Sequence, residues 1–457
     1  YGIDDERSRK VIFPTRVVLT RGKVTGSEHL TAYKPTQVAI YGYHDQCTLD
    51  NRGSDVNAGV LVDFGRELHG TLTVSVWSMN GRYADYTIRL GESVSEAMTP
   101  ITEKDKNPTN DHANRDIKTG SGAWSSNETN ESGFRFAYVE LNSPDMYMQI
   151  RCITATLVYR DIEYRGSFEC SDPLLNKIYD TAAYTVHLNM QEYLWDGIKR
   201  DRLVWMGDMH PEVMTISHVF GQNEVVPKSM DLLKNVTPLP NWMNTMYPYS
   251  LWWIIVQRDW YNFHGDKQYL ENQRDYLVGL LDILLTKRID ENGYETSGGD
   301  FLDWPSNANK PAMKAGTQAL MMMAIKAGSE LCSHLGEDTM ASRCEERYAK
   351  MEKVAPKIVE QYFLEAEHPT APGSKQAAAL MALAGILDAE KANAEVLSIE
   401  GARGFSTFYG YYMLQAMAKA GNYEGAMQII RDYWGAMLDL GATSFWEDFD
   451  LDWLDNA

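Results

Sequence analysis

Residues 171–190, SDPLLNKIYDTAAYTVHLNM, mark the point at which the hydrophobic pattern of the chain changes. A serine and an aspartate that suit a helix cap precede Pro173, a residue favoured in the first turn of a helix. From Leu175 to Met190 the apolar residues recur at three- and four-residue spacing, the period of an amphipathic helix. The stretch therefore predicts the first helix of a helical region that begins near residue 166.

The chain before this point has the pattern of β structure. Apolar and polar residues alternate clearly at 71–76, and similar runs occur at 86–90, 134–141 and 150–159. Short alternating runs separated by Gly, Asn and Asp are typical of antiparallel sheets. We therefore predict an N-terminal antiparallel β-sandwich over residues 1–165, with a long polar surface loop at 102–132.

The chain after residue 166 has the pattern of successive helices with almost no strand signals. Many helices of this kind, joined by long loops and without a fixed repeat, predict an α/α toroid and disfavour a solenoid. We therefore predict a second domain over residues 166–457. The predicted helix starts are Asp172, Asp208, Glu224, Leu251, Lys267, Ala312, Asp338, Gln376, Asp388, Ser406 and Tyr423.

Composition excludes several classes of function. The 457 residues carry a formal net charge of −20, which disfavours binding to nucleic acid. No apolar run approaches the ~20 residues needed to span a bilayer. The five cysteines show no zinc-ligand spacing, and no phosphate-binding glycine loop is present. We expect no cofactor, with a structural calcium in the Asp- and Asn-rich segment 45–57 as the one possibility kept open.

Four loops of the helical region carry most of its candidate chemistry. Three are acidic, and the fourth is aromatic and neutral. In an α/α toroid, the loops at one end of the helical hairpins converge, so carboxylates and tryptophans from distant parts of the sequence can meet. The four loops are 196–212, 242–249, 298–305 and 441–448.

These residue types suit glycoside hydrolysis. An inverting glycosidase needs two carboxyl groups on either side of the scissile bond, one as acid and one as a base that activates water. Glu447, next to Trp446, suits the base, and an acid from 196–212 would protonate the leaving oxygen. Arg200 and Arg202 could hold sugar hydroxyls. The alternative is that these acids and arginines form salt bridges that only pin the loops.

Several ordered motifs resemble the α-L-rhamnosidases of glycoside hydrolase family 78. They include SDPLLNKIYDTAAYTVHLNMQEYLWDGIKRDRLVWMGD, GGDFLDW, GSKQAAALMALAG and GATSFWE in the helical region, and VDFGRELHGTLTV, GESVSEAM and SGFRFAYVEL before it. The resemblance implies an (α/α)6 barrel preceded by β-sandwich domains. It also implies inverting hydrolysis of terminal α-L-rhamnosides, a carbohydrate partner, and a periplasmic, cell-surface or secreted location.

The resemblance also assigns roles to residues of this sequence. Asp196, Arg200, Trp205 and Asp208 match sugar-binding or supporting positions of the family's acidic loop, and Glu447 matches its general base. Asp300 and Trp304 match positions that line the same pocket. Further candidates for contact with the substrate are Arg202, Trp242, Asp303 and Trp446.

The chain departs from the family at two places. The family motif RDER carries the general acid on its Glu, whereas this chain has Arg200-Asp201-Arg202, one residue shorter. Asp201 would then be the acid, or Asp208 or Glu212 would replace it, or the protein would bind sugar without cleaving it. A glycosidase or phosphorylase of other sugar specificity is a further alternative. The chain also ends soon after Glu447, so we expect the toroid to lack its last helix.

Overall fold

The computed structural model of the protein describes residues 5–33, 45–102, 116–366 and 371–452. The chain divides into two compact units. The first unit comprises Tyr1–Asp161 and His187–Leu203, and the second comprises Ile162–Val186 and Val204–Ala457. The domain boundary at 165/166 stays a prediction.

The described residues of the first unit form ten antiparallel strands. They follow the order β3-β4-β10-β5-β9-β6-β7, and β1 also pairs with β10 while β2 and β8 pair with β5. A short helix, α1 (Val94–Met98), follows β6. The strands are β1 Arg7–Ile12, β2 Arg16–Arg21, β3 Lys23–Thr25, β4 Cys47–Asp50, β5 Gly59–Met79, β6 Ala84–Gly91, β7 Ile117–Ser121, β8 Ser125–Glu128, β9 Ser132–Leu141 and β10 Tyr147–Arg160.

Strand β5 explains why these strands form one hydrogen-bonded sheet. Its first half pairs with β2 and β9, and its second half pairs with β8 and β10. The predicted alternation at 71–76 is confirmed, because Leu72, Val74 and Val76 are buried while the residues between them are partly exposed. The antiparallel β fold is thus confirmed. The long strand β5 joins the strands that pair with its first half to those that pair with its second half.

The prediction of a continuous surface loop at 102–132 is wrong for its second half. Residues 117–121 form β7 on the edge of β6, and residues 125–128 form β8 against the second half of β5. Both strands consist mainly of polar residues, and all but one of these residues are partly or fully exposed, which hid the pairing from the hydrophobic pattern. Residues 103–115 of the predicted loop lie outside the described residues.

A buried carboxylate ties the middle of the sheet together. Asp63 is 1% exposed and accepts hydrogen bonds from Arg135 Nε at 2.8 Å, Arg16 Nε at 2.9 Å and the Gly65 amide at 2.8 Å. Burial raises the pKa of Asp63, but Arg135, Gly65 and Arg16 outweigh it, and the net shift is downward. The ionised form is therefore the stabilising one.

We expect Asp63→Asn to lower the free energy of unfolding by about 2–4 kcal/mol at pH 7, because charged partners lose their acceptor. The pKa of Asp63 is lower in the folded protein than in the unfolded chain, so its stabilisation is present above about pH 4 and fades as the pH falls. Urea unfolding of both proteins between pH 7 and pH 3 should show a shrinking difference. A difference that stays constant over this range would contradict the assignment.

After residue 172 the described chain forms eleven α-helices, as predicted. None of the described helices is long and apolar enough to cross a membrane. The helices are α2 Pro173–Asn189, α3 Met209–Val219, α4 Val225–Val236, α5 Tyr247–His264, α6 Lys267–Lys287, α7 Lys310–Leu335, α8 Asp338–Glu365, α9 Ser374–Ala384, α10 Ala389–Ala392, α11 Gly410–Lys419 and α12 Tyr423–Asp439.

Alternate helices pack against each other and form the inner layer of the second unit. Helix α5 contacts α3 and α7, and α9 contacts α7 and α11. The inner helices are strongly buried; in α9, for example, Ser374 to Ala382 is buried throughout. This alternation is the pattern of an α/α toroid and confirms the predicted fold.

Candidate functional site

The four predicted loops lie at the ends of the inner helices or of α12. Of the first loop, residues 204–208 belong to the second unit and precede α3; loop 242–246 precedes α5, loop 298–309 precedes α7, and loop 441–448 follows α12. Inner helices of an α/α toroid run in the same direction, so the loops that precede them share one end of the unit. This end is the candidate site.

Three acids from three of these loops raise the pKa values of two buried tyrosines. Burial raises the pKa of Tyr409 well above its usual range, and the carboxylates of Asp303 and Asp208 add to the rise. Burial likewise raises the pKa of Tyr433, with further contributions from Asp303 and Asp448. Asp303 therefore influences one tyrosine together with Asp208 and the other together with Asp448, although the three acids are distant in the sequence.

Asp303 is the buried centre of this group. Its side chain accepts hydrogen bonds from Ser406 Oγ at 2.6 Å, Gln376 Nε2 at 3.0 Å and the Trp304 amide at 2.9 Å. These donors join the loop before α7, the start of α9 and the loop before α11. Burial raises the pKa of Asp303 despite these donors. With 3% of its surface exposed, Asp303 is placed to support the site, and direct contact with a substrate stays a prediction.

Aromatic rings form a continuous row along one side of the site. Trp205 and Tyr249 have ring centroids 6.0 Å apart, Tyr249 and Phe301 6.2 Å, and Phe301 and Trp304 5.1 Å. A Cβ at Gly207 would lie 2.2 Å from Tyr249 Cε1, so this glycine permits the close packing beside Trp205. Trp304 ends the row with 68% of its surface exposed. Such a ring can stack on the apolar face of a sugar.

The predicted residue Trp242 belongs to a cation–aromatic group. The Arg288 guanidinium lies over the ring of Trp242 at 5.0 Å and over that of Tyr247 at 4.8 Å. Burial raises the pKa of Tyr247 well above its usual range, with Glu295 and Asp300 adding to the rise. This interaction brings the predicted Asp300 close to the aromatic loop before α5.

Sequence reasoning missed two members of this group, Arg288 and Glu295. Glu295 is 7% exposed and accepts hydrogen bonds from the Ser297 amide at 2.8 Å and Ser297 Oγ at 2.7 Å. Burial raises its pKa even so. A single acid in a Gly- and Ser-containing loop gives no sequence signal that separates it from a surface residue.

The loop that carries Glu447 is fixed on both sides of this residue. The Phe445 amide donates to Thr185 Oγ1 at 2.9 Å, and the ring of Trp446 makes an edge contact with Phe449 at 5.9 Å. Phe449 is buried, whereas Glu447 is exposed. A solvent-accessible carboxylate on an anchored loop suits the activation of water.

A further unpredicted network fixes the start of α3 beside Asp208. His210 Nε2 lies 2.8 Å from Asp259 Oδ2, and His210 Nδ1 lies 3.0 Å from the hydroxyl of Tyr412. The imidazole is buried and stacks on Trp252 at 5.3 Å. Both ring nitrogens of His210 thus have hydrogen-bond partners, which indicates a structural role for this residue. Glu212, two residues further along α3, is half-buried.

The remaining candidates lie in segment 196–203 of the first unit. The Leu203 amide donates to Asp196 Oδ1 at 2.9 Å, and the Asp196 amide donates to the Leu203 carbonyl at 3.0 Å, which closes the loop. At its tip, the Arg202 amide donates to the Arg200 carbonyl at 2.6 Å. Asp201 and Arg202 have φ values of 50° and 54°, a left-handed conformation that is strained for such residues. The shortened motif therefore forms a three-residue γ-turn with Asp201 at its apex.

Metal binding has no support in the described part of the chain. No group of three or more His, Cys, Asp or Glu residues could hold a metal ion there. In the segment proposed for calcium, Asp45 pairs with Arg151 at 2.9 Å and Asp50 pairs with Arg52 at 2.8 Å. These acids are thus occupied by arginines.

Comparisons with known proteins agree with this fold. A rhamnosidase from Klebsiella oxytoca, determined with rhamnose bound, matches with a TM-score of 0.76 at 19% identity and covers 98% of this chain and 90% of its own. A GH78 family rhamnosidase of Bacillus sp. GL1 matches with a TM-score of 0.74 at 20% identity, over 90% of this chain and 44% of that chain.

A curated relative and a family model match the sequence itself. An α-L-rhamnosidase of Formosa agariphila is 26% identical over 208 residues, which is 40% of this chain and 21% of the relative. The chain thus spans about a fifth of this relative and less than half of the Bacillus enzyme. The model of the bacterial alpha-L-rhamnosidase 6 hairpin glycosidase domain matches residues 163–456, well over half of the chain. The chain therefore belongs to the family of bacterial α-L-rhamnosidase six-hairpin glycosidases.

Proposed function

We propose that this protein is an inverting exo-glycosidase that hydrolyses terminal α-L-rhamnosides of glycans or glycosides outside the cytoplasm. The observation that supports the proposal is the position of Asp303, which raises the pKa of Tyr409 together with Asp208 and the pKa of Tyr433 together with Asp448, and which directly precedes Trp304 at the end of the aromatic row. Carboxylates next to an exposed aromatic ring are what a glycosidase needs to hold hydroxyls and stack a sugar. The family membership of the chain supports the rhamnosyl group as the sugar.

In the proposed reaction Glu447 is the general base. Its exposed carboxylate takes a proton from a water molecule, and the oxygen of that water attacks the anomeric carbon. Asp201 at the apex of the γ-turn donates a proton to the leaving oxygen, and the glycosidic bond breaks. Asp196, Asp208, Asp300, Arg200 and Arg202 hold sugar hydroxyls, while Trp205, Trp242, Trp304 and Trp446 supply apolar surface.

The test is an assay on an aryl α-L-rhamnoside, followed by NMR of the released sugar. We expect phosphate-independent release of free L-rhamnose whose first-formed anomer has the configuration opposite to that of the substrate. Retained configuration would overturn inversion, and cleavage of only another aryl glycoside would overturn the sugar assignment. A substrate whose rhamnose carries a further sugar should resist cleavage if the enzyme acts only on terminal units.

A second candidate function is sugar binding without hydrolysis. The strained turn at Asp201 favours it, because a one-residue shorter loop with a shorter acid can fail to reach the leaving oxygen. Calorimetric binding of L-rhamnose by a protein that cleaves no rhamnoside would support this candidate. Loss of measurable turnover on substitution of Glu447 would exclude it.

A further inference from the structure

A lysine beside the γ-turn is buried among three glutamates of the first unit. Lys199 Nζ lies 2.6 Å from Glu92 Oε2 and 3.1 Å from Glu96 Oε1. The Lys199 side chain is 11% exposed. The third acid, Glu67, is buried and interacts electrostatically with Lys199 and both other glutamates. Lys199 directly precedes Arg200, so the ion pairs connect the β sheet with the proposed acid loop.

Burial and neighbouring carboxylates shift the pKa values of Glu67 and Lys199. Burial raises the pKa of Glu67 well above its usual range, and Glu92 adds to the rise, so the neutral acid is favoured. Burial also opposes the charge of Lys199, but the carboxylates of Glu92 and Glu96 outweigh it and raise the pKa of Lys199. The Lys199 ammonium therefore lies within ion-pair distance of two carboxylates, and the side chain of one of them, Glu96, is only 2% exposed.

One of the two ion-pair partners, Glu96, is itself held in place by local hydrogen bonds. Ser93 caps helix α1, and its Oγ accepts from the Glu96 amide at 3.0 Å. The second oxygen of Glu96 accepts from the Glu92 amide at 2.8 Å. Glu96 is thus held by hydrogen bonds within its own turn, independently of Lys199.

The backbone on both sides of the γ-turn also rests on the first unit. A Cβ at Gly133 would come within 3.0 Å of the Lys199 amide nitrogen, so only glycine allows this close approach. The Ile198 carbonyl lies 3.3 Å from His69 Nδ1. Beyond the turn, Arg202 Nη1 donates to the Glu131 carbonyl at 2.8 Å. Residues 198–202 are therefore anchored before and after Asp201.

An ionic anchor is suited to fixing a conformation more than to adding stability. Burying a charged pair costs desolvation that its attraction only offsets, and an apolar residue of similar volume often stabilises a protein as well. An ion pair is directional, whereas an apolar contact is not, because the ammonium must lie within hydrogen-bonding distance of two particular carboxylate oxygens. Strain at Asp201 and Arg202 needs such an anchor, since left-handed residues relax unless their surroundings hold them.

We propose that Lys199 is a positioning residue of the reaction: its ion pairs with Glu92 and Glu96 hold the γ-turn so that Asp201 keeps one strained conformation. The inference rests on the proposed function, because it acts through Asp201. It adds that contacts within the first unit set the conformation of the proposed acid.

The test compares Lys199→Met and Lys199→Arg with the wild type. We expect Lys199→Met to lower kcat on an aryl α-L-rhamnoside by about 10²-fold with KM nearly unchanged, because a misplaced acid slows the chemical step. Hydrogen–deuterium exchange of residues 196–203 should rise by about tenfold while exchange in β10 stays as it was. Lys199→Arg, which keeps the charge, should recover most of kcat. The matched control is Lys10→Met, at an exposed lysine of β1.

Wild-type kcat together with wild-type exchange in Lys199→Met would overturn the proposal. So would a rise in exchange that extends to β10, because Lys199 would then support the sheet as a whole. If Lys199→Met does not fold, the double variant Lys199→Met/Glu96→Gln removes the more buried of the two uncompensated carboxylates and is judged by the same criteria. If the wild type cleaves no rhamnoside, the proposed function fails, and the exchange of residues 196–203 alone decides whether Lys199 anchors the turn.

Discussion

Glu447→Gln should lower rhamnoside hydrolysis by about 10³-fold, the range that a positioned general base contributes. The amide keeps the size of the side chain but cannot accept a proton from water. Because Glu447 is exposed, the free energy of unfolding should stay within about 0.5 kcal/mol of the wild type. Steady-state kinetics and urea unfolding of the same preparation measure both quantities.

The control for this variant is Glu390→Gln, the same chemical change at an exposed glutamate of α10. We expect its kcat and KM to equal those of the wild type. Rhamnose should still bind to Glu447→Gln, since the base is not needed to hold the sugar. A loss of activity smaller than about tenfold would show that another group activates the water.

Asp303→Ala should have the largest effect on stability. We expect it to lower the free energy of unfolding by about 3–5 kcal/mol, because hydrogen-bond donors from three segments lose their acceptor. Gln376, Ser406 and the Trp304 amide would lose their common acceptor. The loops before α7 and α11 would shift, so we also expect kcat to fall by about 10²-fold. Urea unfolding and steady-state kinetics test the two parts of this prediction.

The pH dependence of this effect has a defined sign. Burial raises the pKa of folded Asp303 above that of the unfolded chain, about 3.9. The protonated form is therefore favoured in the folded protein, and the stability advantage over Asp303→Ala is largest below about pH 4 and declines as the pH rises through the folded pKa. Asp275→Ala, at an exposed aspartate of α6, is the control and should change stability by less than about 0.5 kcal/mol. An advantage that grows with pH would contradict a raised pKa.

Most of the helical region could be predicted because its apolar period and its caps agree. Helices α6, α8 and α12 begin at their predicted first residues, Lys267, Asp338 and Tyr423. Helix α11 was predicted from Ser406 but begins at Gly410. The reason is tertiary, since Ser406 Oγ bonds to Asp303, and residues 406–409 form a turn there.

The candidate site was harder to predict in detail than the loops that carry it. The sequence places acids and aromatic residues in the loops before the inner helices, but it does not tell which acid is buried. Asp303 differs from Asp300 only in the partners that α9 and the loop before α11 bring to it. Glu295 and Arg288 gave no local pattern, and Lys199 has neighbours that are about 100 residues away in the sequence. Such contacts depend on the completed fold.

The membership of residues 187–203 in the first unit has a consequence for synthesis and for fragment design. Chain growth on the ribosome delivers the sheet first, but the ammonium of Lys199 arrives only after helix α2 has been made. Until then the ion pairs of Lys199 with Glu92 and Glu96 cannot form, so the first unit is completed only after α2 has been synthesised. A clone that stops at residue 165 would express the sheet without residues 187–203, and therefore without Lys199. A boundary drawn by secondary structure would cut through one folding unit.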